Sequence, residues 1–539
     1  MHLTDQDLSN PSVWQKAGIR LPEYDRAAMI RQTKQTPAWV HFGAGNIFRA
    51  FPASLQQKLL EQGKAHTGII VAEGYDYEIV ERAYRPHDNL SLLVTLKADG
   101  SIGKTVIGSI AESLKADSAD KTDFPRLREI FRAPGLQMAS FTITEKGYSL
   151  TRGDGGTAPD VERDFAQGPA KPKSYMGKIV SLVYERYAHG ASPLALVSLD
   201  NCSHNGTKLR NAVLAFAEQW VKNGLTDSGF LRYLKDPAKI SFPWSMIDKI
   251  TPRPDAGVKA MLEQAGFEDT GILVTHKNTY VAPFVNSEQA QYLVIEDHFP
   301  NGRPPLDQAG AIFTDRGTVD KVEKMKVCTC LNPLHTALAV FGCLLGYKKI
   351  SDEMKDADLV RLVKGIGYRE GLPVVVDPGI LSPKAFLDEV LQVRIPNPFM
   401  PDTPQRIATD TSQKLPIRFG ETIKAYLADG SLQIGRLKLI PLVLAGWCRY
   451  LLGIDDGGTA FPVSPDPMYP TLKKQLGDLR PGDAGPFHKV LQPILSNSAI
   501  FAVDLYQAGL GETVEKDFAE LMAGKGAVRA TLRRHLAES

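Results

Sequence analysis

In the N-terminal part of the chain, segments whose apolar residues have the pattern of a strand alternate with segments whose apolar residues have the spacing of a helix. Residues 38–42 form a short β-rich run, residues 51–60 repeat apolar side chains at helical spacing, and residues 67–72 form a second strand-like run. Together they predict one strand–helix–strand unit. Further strand-like runs, separated by helix-like stretches, cover residues 90–96, 105–110, 137–143 and 194–199. This alternation predicts an α/β fold, with a mostly parallel sheet and helices on both of its faces.

The pattern changes after residue 317, where long segments with helical periodicity dominate. These segments lie at residues 331–348, 357–371, 383–394, 416–429, 434–454, 470–476, 486–495, 498–508 and 513–523. A turn-forming sequence, Asn-Gly-Arg-Pro-Pro at 301–305, precedes them. We therefore expect an α/β domain with an N-terminal extension at residues 1–315, followed by an all-α C-terminal domain at residues 316–539.

The composition is that of an ordinary folded protein. Of the 539 residues 43% are hydrophobic and 23% are charged, and the net charge of +2 provides no field for holding a nucleic acid. Five cysteines do not make a disulfide framework in so long a chain, and the N-terminus lacks the basic and apolar regions of a signal peptide. The most apolar stretches, 331–347 and 439–448, contain polar residues or are too short for a membrane span. We expect a cytoplasmic protein with no nucleic-acid or membrane partner.

The first predicted strand leads directly into two closely spaced glycines. Glycines at this place let the backbone approach the pyrophosphate of a dinucleotide and present helix N-terminal amides to its charge. The third glycine of the usual fingerprint is absent, since Phe48 occupies its position and Arg49 follows. The predicted cofactor-binding turn comprises Gly43, Gly45, Asn46, Phe48 and Arg49. An ordinary turn from strand to helix is the alternative.

Glu73 stands at the tip of the second predicted strand. A carboxylate there can accept hydrogen bonds from the adenosine ribose hydroxyls and repel a 2′-phosphate, which favours NAD over NADP. The separation of 30 residues from Gly43 exceeds the usual spacing of about twenty. A solvated acid at a strand end is the alternative. With the glycine turn, Glu73 indicates that residues 1–315 form a Rossmann-type, dinucleotide-binding domain.

Polar residues open the first helix pattern of the C-terminal domain. Asn332 and His335 are three positions apart and share one face of a helix whose remainder is apolar. Such groups need hydrogen-bond partners or a function, and a hydrogen-bonded core histidine is the alternative to a catalytic one. Cys328 and Cys330 lack the spacing of a zinc site, so we expect no metal.

Four blocks of sequence resemble the long-chain polyol-specific dehydrogenases, the mannitol dehydrogenase family. They lie at residues 42–50 (FGAGNIFRA), 142–148 (TITEKGY), 198–206 (SLDNCSHNG) and 242–252 (FPWSMIDKITP). The last block departs from the family's Val-Asp-Arg-Ile by Ile247 and Lys249. With residues 326–335, the resemblance covers most of residues 38–420. It implies an NAD-dependent oxidoreductase with a small sugar-acid or polyol substrate, bound by the helical C-terminal domain.

The resemblance also implies roles for individual residues. Family members use a lysine as general acid and base, without a metal, and hold the reacting oxygen with asparagine and histidine side chains. Lys326, Asn201, Asn332 and His335 match these positions, and Asp248 is a candidate for binding substrate. The family usually has four residues between the lysine and the asparagine, whereas five separate Lys326 from Asn332. A lysine exchanges a proton near neutral pH only where burial lowers its pKa.

Substrates in this family are neutral polyols or sugar acids, and a sugar acid needs a cation for its carboxylate. Arg406, Lys414 and Arg418 are the candidates, of which a guanidinium grips a carboxylate best because it donates two parallel hydrogen bonds. Solvated surface positions are the alternative for each.

The prediction of the individual substrate depends on short segments of sequence. Residues 144–148 and 411–416 resemble fructuronate reductases, whereas residues 45–51 are nearer to tagaturonate reductases. We expect interconversion of D-fructuronate and D-mannonate with NAD, by a monomer or small homo-oligomer. Mannitol 2-dehydrogenase or tagaturonate reductase activity and, more distantly, a non-catalytic NAD-binding regulator stay open.

Overall fold

The computed structural model describes residues 1–538, which form two compact units. The α/β unit comprises residues 1–97 and 101–320. The helical unit comprises residues 98–100 and the chain from Lys321 onward. The boundary falls within the helix Arg316–Lys324.

Strands occur in the α/β unit. They are β1 (Trp39–Phe42), β2 (Ile69–Glu73), β3 (Ser91–Leu96), β4 (Ile102–Ile107), β5 (Ile110–Lys115), β6 (Met138–Phe141), β7 (Leu194–Ser198), β8 (Ile240–Ser241), β9 (Ser245–Asp248), β10 (Leu273–Val274), β11 (Tyr280–Val281), β12 (Phe284–Glu288), β13 (Tyr292–Glu296) and β14 (Ile312–Thr314).

A six-stranded sheet forms the centre of this unit, in the order β5-β2-β1-β6-β7-β8. All its strand pairs are parallel, and Val40 of β1 lies opposite both Ile70 and Ala139. The successive residues Trp39 and Val40 of β1 pack into different apolar clusters, on opposite faces of the sheet. Burial on both faces requires helices on both faces, which confirms the predicted Rossmann-type architecture.

One predicted strand is wrong. Residues 105–110 form the end of β4, a two-residue connection at Gly108 and Ser109, and the first residue of β5, so the strand pattern is interrupted there. β4 and β3 belong to a small mixed sheet, β12-β3-β4, whereas β5 joins the central parallel sheet. Two further small sheets, β14-β13-β9 and β10-β11, were not predicted from the sequence.

α-Helices occur in both units. They are α1 (Asp5–Leu8), α2 (Pro11–Lys16), α3 (Arg26–Gln35), α4 (Asn46–Ala50), α5 (Pro52–Glu61), α6 (Asp123–Arg132), α7 (Thr144–Gly147), α8 (Pro159–Gln167), α9 (Tyr175–Ala188), α10 (Asn205–Lys222), α11 (Ser228–Lys235), α12 (Ala256–Gln264), α13 (Arg316–Lys324), α14 (Asn332–Leu344), α15 (Ile350–Glu353), α16 (Ala357–Lys364), α17 (Pro383–Glu389), α18 (Pro404–Ile407), α19 (Thr411–Leu415), α20 (Glu421–Ala428), α21 (Leu439–Tyr450), α22 (Tyr469–Leu476), α23 (His488–Leu495), α24 (Ser498–Phe501), α25 (Gly511–Leu521) and α26 (Ala527–Glu538).

Several helices of the helical unit pass directly into wider, π-helical turns. These turns lie at Met325–Cys330, Gly365–Gly371, Val390–Arg394 and Pro416–Gly420, and the α/β unit has one at Val80–Tyr84. The predicted helices over 357–371, 383–394 and 416–429 each contain one of them. Helical periodicity cannot distinguish a π turn from an α turn over so few residues, so these turns were not expected.

The helical stretch Arg316–Leu344 is long and apolar enough to cross a membrane by length and composition alone. In its most apolar window 72% of the residues are buried inside the protein. This agrees with the interpretation of residues 331–347 as part of a core helix.

Candidate functional site

The glycine turn after β1 has a backbone that only glycine fits at its first position. Gly43 has φ +107°, and a Cβ atom there would lie 2.2 Å from the carbonyl oxygen of Thr142. Gly45 caps the N-terminus of α4, and no atom lies within 4 Å of the place its Cβ would occupy. The space in front of this helix is therefore open, as close approach of a pyrophosphate requires.

The side chains that follow the turn point into the protein. Phe48 is fully buried and stacks on His41, with ring centroids 4.2 Å apart. Arg49 is also fully buried and donates hydrogen bonds to the carbonyl oxygen of Ala282 at 2.7 Å and to Oδ1 of Asn46 at 2.8 Å. Burial lowers the pKa of Arg49. These contacts make Phe48 and Arg49 supports of the turn.

Glu73 connects the glycine turn to the end of β2. Its Oε2 accepts a hydrogen bond from the amide of Ala44 at 2.8 Å, and its Oε1 accepts from the amides of Tyr75 at 2.7 Å and Asp76 at 3.1 Å. The side chain is buried, and burial raises its pKa while the three amides oppose that rise. Glu73 is therefore not the solvated strand-end acid that was the alternative.

Asn201 lies in the loop after β7, at the carboxyl edge of the six-stranded sheet. Its neighbour Asp200 is buried and fixes the loop after β6. The Asp200 carboxylate accepts hydrogen bonds from the amides of Ile143 and Thr144 and, at 2.5 Å, from the hydroxyl of Tyr148. Sequence reasoning overlooked Asp200 and Tyr148 as individual residues, although both lie in blocks that carry the family resemblance.

Asp248 is the last residue of β9 and is buried in the small sheet β14-β13-β9, opposite Tyr292 of β13. The next residue, Lys249, donates hydrogen bonds to the carbonyl oxygen of Glu288 and to Oε1 of Gln291. The structure thus places Asp248 in the α/β unit, whereas the other substrate-binding candidates belong to the helical unit.

Lys326 lies in the π turn Met325–Cys330, between α13 and α14, and only 3% of it is exposed. Its carbonyl oxygen accepts a hydrogen bond from the amide of Leu331 at 3.0 Å, five positions later instead of four. A π turn contains one residue more than an α turn. The fifth residue between Lys326 and Asn332 is therefore accommodated by this wider turn.

Asn332 is the first residue of α14, and His335 follows on its first turn. The Nε2 atom of His335 lies 3.4 Å from Oδ2 of Asp402. Burial lowers the pKa of His335 to about 3, and the positive charges of Arg418, Arg406, Arg394 and Lys414 contribute to this shift. His335 is therefore neutral near pH 7 and lies among cations.

These four cations differ in their partners. Arg406 pairs with Asp402, and the amine of Lys414 donates to the backbone carbonyl groups of Thr409 and Ile407. Arg418 is half-buried, and its Nη1 donates to the hydroxyl of Thr336 at 2.6 Å. Burial lowers the pKa of Arg418 to about 10, which leaves it charged.

Arg394 was not among the residues singled out in the sequence. It is buried, and it lies in the π turn Val390–Arg394. Lys326, Arg394 and Arg418 thus each lie in a separate π turn of the helical unit. One sign of this arrangement was present in the sequence, namely that five residues, instead of the family's usual four, separate Lys326 from Asn332.

Within residues 1–538, one group of three potential metal ligands lies close together, and none of its members was predicted as a site residue. It consists of Asp517, Glu520 and His535. The Nε2 of His535 is 3.1 Å from Glu520 and 3.4 Å from Asp517, and Arg534 also pairs with Glu520. Ion pairing accounts for this group without a metal.

Comparison with known proteins covers nearly the whole chain. The model of the mannitol dehydrogenase Rossmann domain matches residues 37–308, and the model of the mannitol dehydrogenase C-terminal domain matches residues 318–522. D-mannonate oxidoreductase of Thermotoga maritima is 53% identical over 99% of this chain and 98% of its own length. Mannitol 2-dehydrogenase of Cereibacter sphaeroides is 30% identical over 84% of this chain and 88% of its own length.

A solved structure extends the similarity to the fold. The ternary complex of Pseudomonas fluorescens mannitol 2-dehydrogenase with NAD and D-mannitol is 26% identical, covers 100% of both chains, and gives a TM-score of 0.70.

Proposed function

We propose, since this chain belongs to the mannitol dehydrogenase family and is an NAD-dependent oxidoreductase acting on a CH–OH group, that it interconverts D-fructuronate and D-mannonate. In the reductive direction D-fructuronate, NADH and one proton give D-mannonate and NAD. The 53% identity to a D-mannonate oxidoreductase supports this choice.

The observation that carries the proposal is the group of cations around His335. Arg394, Arg406, Lys414 and Arg418 all act on its pKa. Arg418 is hydrogen-bonded to an uncharged hydroxyl, so its guanidinium can serve the carboxylate of a sugar acid. A neutral polyol offers no charge that would compensate such a group. We therefore assign Arg418 as the main carboxylate anchor, with Arg406 weakened in that role by its pairing with Asp402.

The α/β unit supplies the cofactor site. Gly43 and Gly45 give the close backbone approach, and Glu73 holds the turn through Ala44. Asn46, Phe48 and Arg49 shape the same turn. When bound, NAD takes up or gives back the hydride at the carbon that changes between carbonyl and alcohol.

Proton transfer is assigned to Lys326. The protonated amine gives its proton to the oxygen of the carbonyl as that oxygen gains alkoxide character, and the neutral amine removes it in the reverse direction. Asn332, Asn201 and His335 donate hydrogen bonds to the same oxygen. His335 is neutral near pH 7, so it can orient the oxygen without competing as the proton source. Asp248 is proposed to orient substrate hydroxyl groups.

This reaction needs no metal, because charged and polar side chains perform the polarisation that a Lewis acid would supply. Dialysis against a strong chelator is expected to leave turnover unchanged. Loss of activity that zinc restores would contradict the proposal. The cysteines, which form no disulfide framework in the sequence, favour a reducing, cytoplasmic compartment.

The test is a substrate panel assayed through NADH oxidation. It contains D-fructuronate, D-tagaturonate and D-fructose, with D-mannonate and D-mannitol for the reverse reaction. A charge-assisted carboxylate contact predicts that kcat/KM for D-fructuronate exceeds that for D-fructose by about 10- to 100-fold. A higher value for D-fructose or D-tagaturonate would overturn the substrate assignment. Failure to turn over any member would favour a non-catalytic NAD-binding protein.

A further inference from the structure

A cleft of about 690 Å³ opens at the carboxyl edge of the six-stranded sheet. Tyr77, shortly after β2, lines one side, and residues 117–121, directly after β5, line another. The remaining wall includes Lys171 and Lys173 from the segment that leads into α9, and Lys178 from the first turn of α9 itself. In sheets of this kind the adenosine half of a dinucleotide binds beyond the ends of these same strands.

The lining of this cleft is strongly cationic. It contains Lys121, Lys171, Lys173, Lys178 and Arg163, against the carboxylates of Asp117 and Asp120. Arg163 is paired with Asp164, and Asp120 is paired with Lys115 outside the lining. The lining thus has more basic than acidic side chains, although the charges of Glu73, Asp160 and Asp164 also act on Lys178.

Lys178 fixes the cleft beside the end of β2. It is 6% exposed, and its Nζ donates to the carbonyl oxygen of Gly74 at 3.0 Å and to the hydroxyl of Tyr77 at 2.9 Å. Both partners are uncharged, so the ammonium group is buried without a hydrogen-bonded counter-ion. Gly74 directly follows Glu73, the residue that would meet the adenosine ribose.

The carboxylate of Glu73 is not oriented to repel a 2′-phosphate in the way expected from the sequence. A carboxylate at a strand tip discriminates against NADP when it projects freely toward the ribose. Both oxygens of Glu73 instead accept backbone hydrogen bonds, from Ala44, Tyr75 and Asp76, which hold the carboxylate against the backbone of the turn.

We propose that this lysine cleft binds the 2′-phosphate of NADP(H), so that the chain uses NADPH as well as NADH. The hydride transfer is unchanged: NADPH and one proton reduce the same carbonyl to the alcohol and leave NADP. The catalytic part rests on the proposed function. Direct cofactor binding tests the cleft without any substrate.

Calorimetry of NADH and NADPH with the full chain measures the two dissociation constants. We expect the value for NADPH to lie within about 30-fold of the value for NADH. A larger preference for NADH would overturn the proposal. Failure of the keto-sugar panel with both cofactors, combined with tight NADPH binding, would contradict the proposed function and leave the cleft assignment standing.

The variants use exposed lysines, so that the fold is not put at risk. The double variant Lys121→Ala, Lys173→Ala should raise the dissociation constant for NADPH by about 10-fold or more and change that for NADH by less than about twofold. Lys222→Ala, at an exposed site on α10, is the matched control. Equal weakening of both cofactors, or of neither, would show that the lysines do not contact a 2′-phosphate.

A competition experiment separates the dinucleotide phosphate from a free one. Adenosine 2′,5′-diphosphate should displace NADH more strongly than adenosine 5′-diphosphate does, and the double variant should remove this difference. Binding of inorganic phosphate at the cleft without any advantage for the 2′-phosphorylated nucleotide would overturn the proposal.

Discussion

The carboxylate of Glu73 accepts a hydrogen bond from the amide of Ala44, 29 positions earlier in the chain. Ala44 lies between the two glycines of the turn after β1, so this bond connects the ends of the neighbouring strands β1 and β2. The long separation reflects two helices, α4 and α5, where one would be usual. Glu73 is thus a support of the turn as well as a residue at the ribose end.

Glu73→Ala should lower the free energy of unfolding and weaken NADH binding. The substitution leaves the amides of Ala44, Tyr75 and Asp76 without their acceptor, which costs about 1–3 kcal/mol for each buried group left unpaired. Thermal unfolding and NADH calorimetry measure the two effects. Glu162→Ala, at an exposed site on α8, is the control. Unchanged NADH affinity in a destabilised Glu73→Ala protein would mean that the turn keeps its shape without the carboxylate.

Lys326→Ala should lower kcat by about 100- to 10,000-fold, because it removes a positioned proton-transfer group, and should leave NADH affinity almost intact. Lys324→Ala is the matched control. Near wild-type turnover of Lys326→Ala would assign the proton transfer to another group.

Deletion of Cys328 should be tolerated. The deletion removes the additional residue of the π turn. The backbone can then form ordinary α-helical hydrogen bonds while Lys326 keeps its place before α14. We expect kcat to stay within about 10-fold of wild type, well short of the loss of a proton-transfer group. Cys328→Ala controls for loss of the side chain.

The exchange of neighbours provides the converse test. The double variant Lys326→Val, Val327→Lys keeps the composition. It moves the amine to the next position of the turn, where the side chain leaves the backbone in a different direction. This protein should lose kcat to about the same extent as Lys326→Ala. A folded deletion variant without activity would mean that the wide turn itself aims the amine, and an active exchange variant would mean that the direction of the amine around the turn does not matter.

Arg418→Gln should raise KM for the sugar acid by about 10- to 100-fold, since a charge-assisted contact with the carboxylate is lost. Turnover of D-fructose, which has no carboxylate, should change little. Arg436→Gln, at an exposed position, is the control. Equal losses with D-fructuronate and D-fructose would indicate that Arg418 supports α14 through Thr336 instead of binding substrate.

Glu353 should make the protein less stable as the pH rises. Both carboxylate oxygens are buried without a hydrogen-bond partner among the described residues, and burial, with the charge of Asp356, raises its pKa to about 9. The folded state therefore keeps a proton that the unfolded chain releases above about pH 4.3. The stability that this proton provides is complete below that pH and is lost toward pH 9.

The difference between wild type and Glu353→Gln isolates this residue. Relative to the variant, the wild type should lose up to about 1.4 kcal/mol of stability per pH unit between pH 5 and pH 8.5. Thermal unfolding midpoints across this range measure the trend, and Glu421→Gln at an exposed site is the control. Parallel pH dependence in wild type and variant would show that Glu353 is ionised in the folded protein.

The sequence by itself determined the α/β unit with its parallel sheet, the glycine turn and the helical second half. These features are encoded locally: apolar periodicity reports which face of an element is buried, and only glycine tolerates the backbone of residue 43. Local pattern also placed Asn332 and His335 on the first turn of one helix. It failed at residues 105–110, where two strands of different sheets meet within one apolar run.

Tertiary structure decided the electrostatic surroundings of these residues. Arg394, Arg406 and Arg418 are far from His335 in sequence, and only the packing of separate helices brings their charges to bear on it. The lysine cleft likewise combines the loop after β5 with the segment before α9. The π turn at Lys326 is also a tertiary outcome, because one added residue can be accommodated by a loop or by a wider turn, and the packing of the flanking helices selects between them.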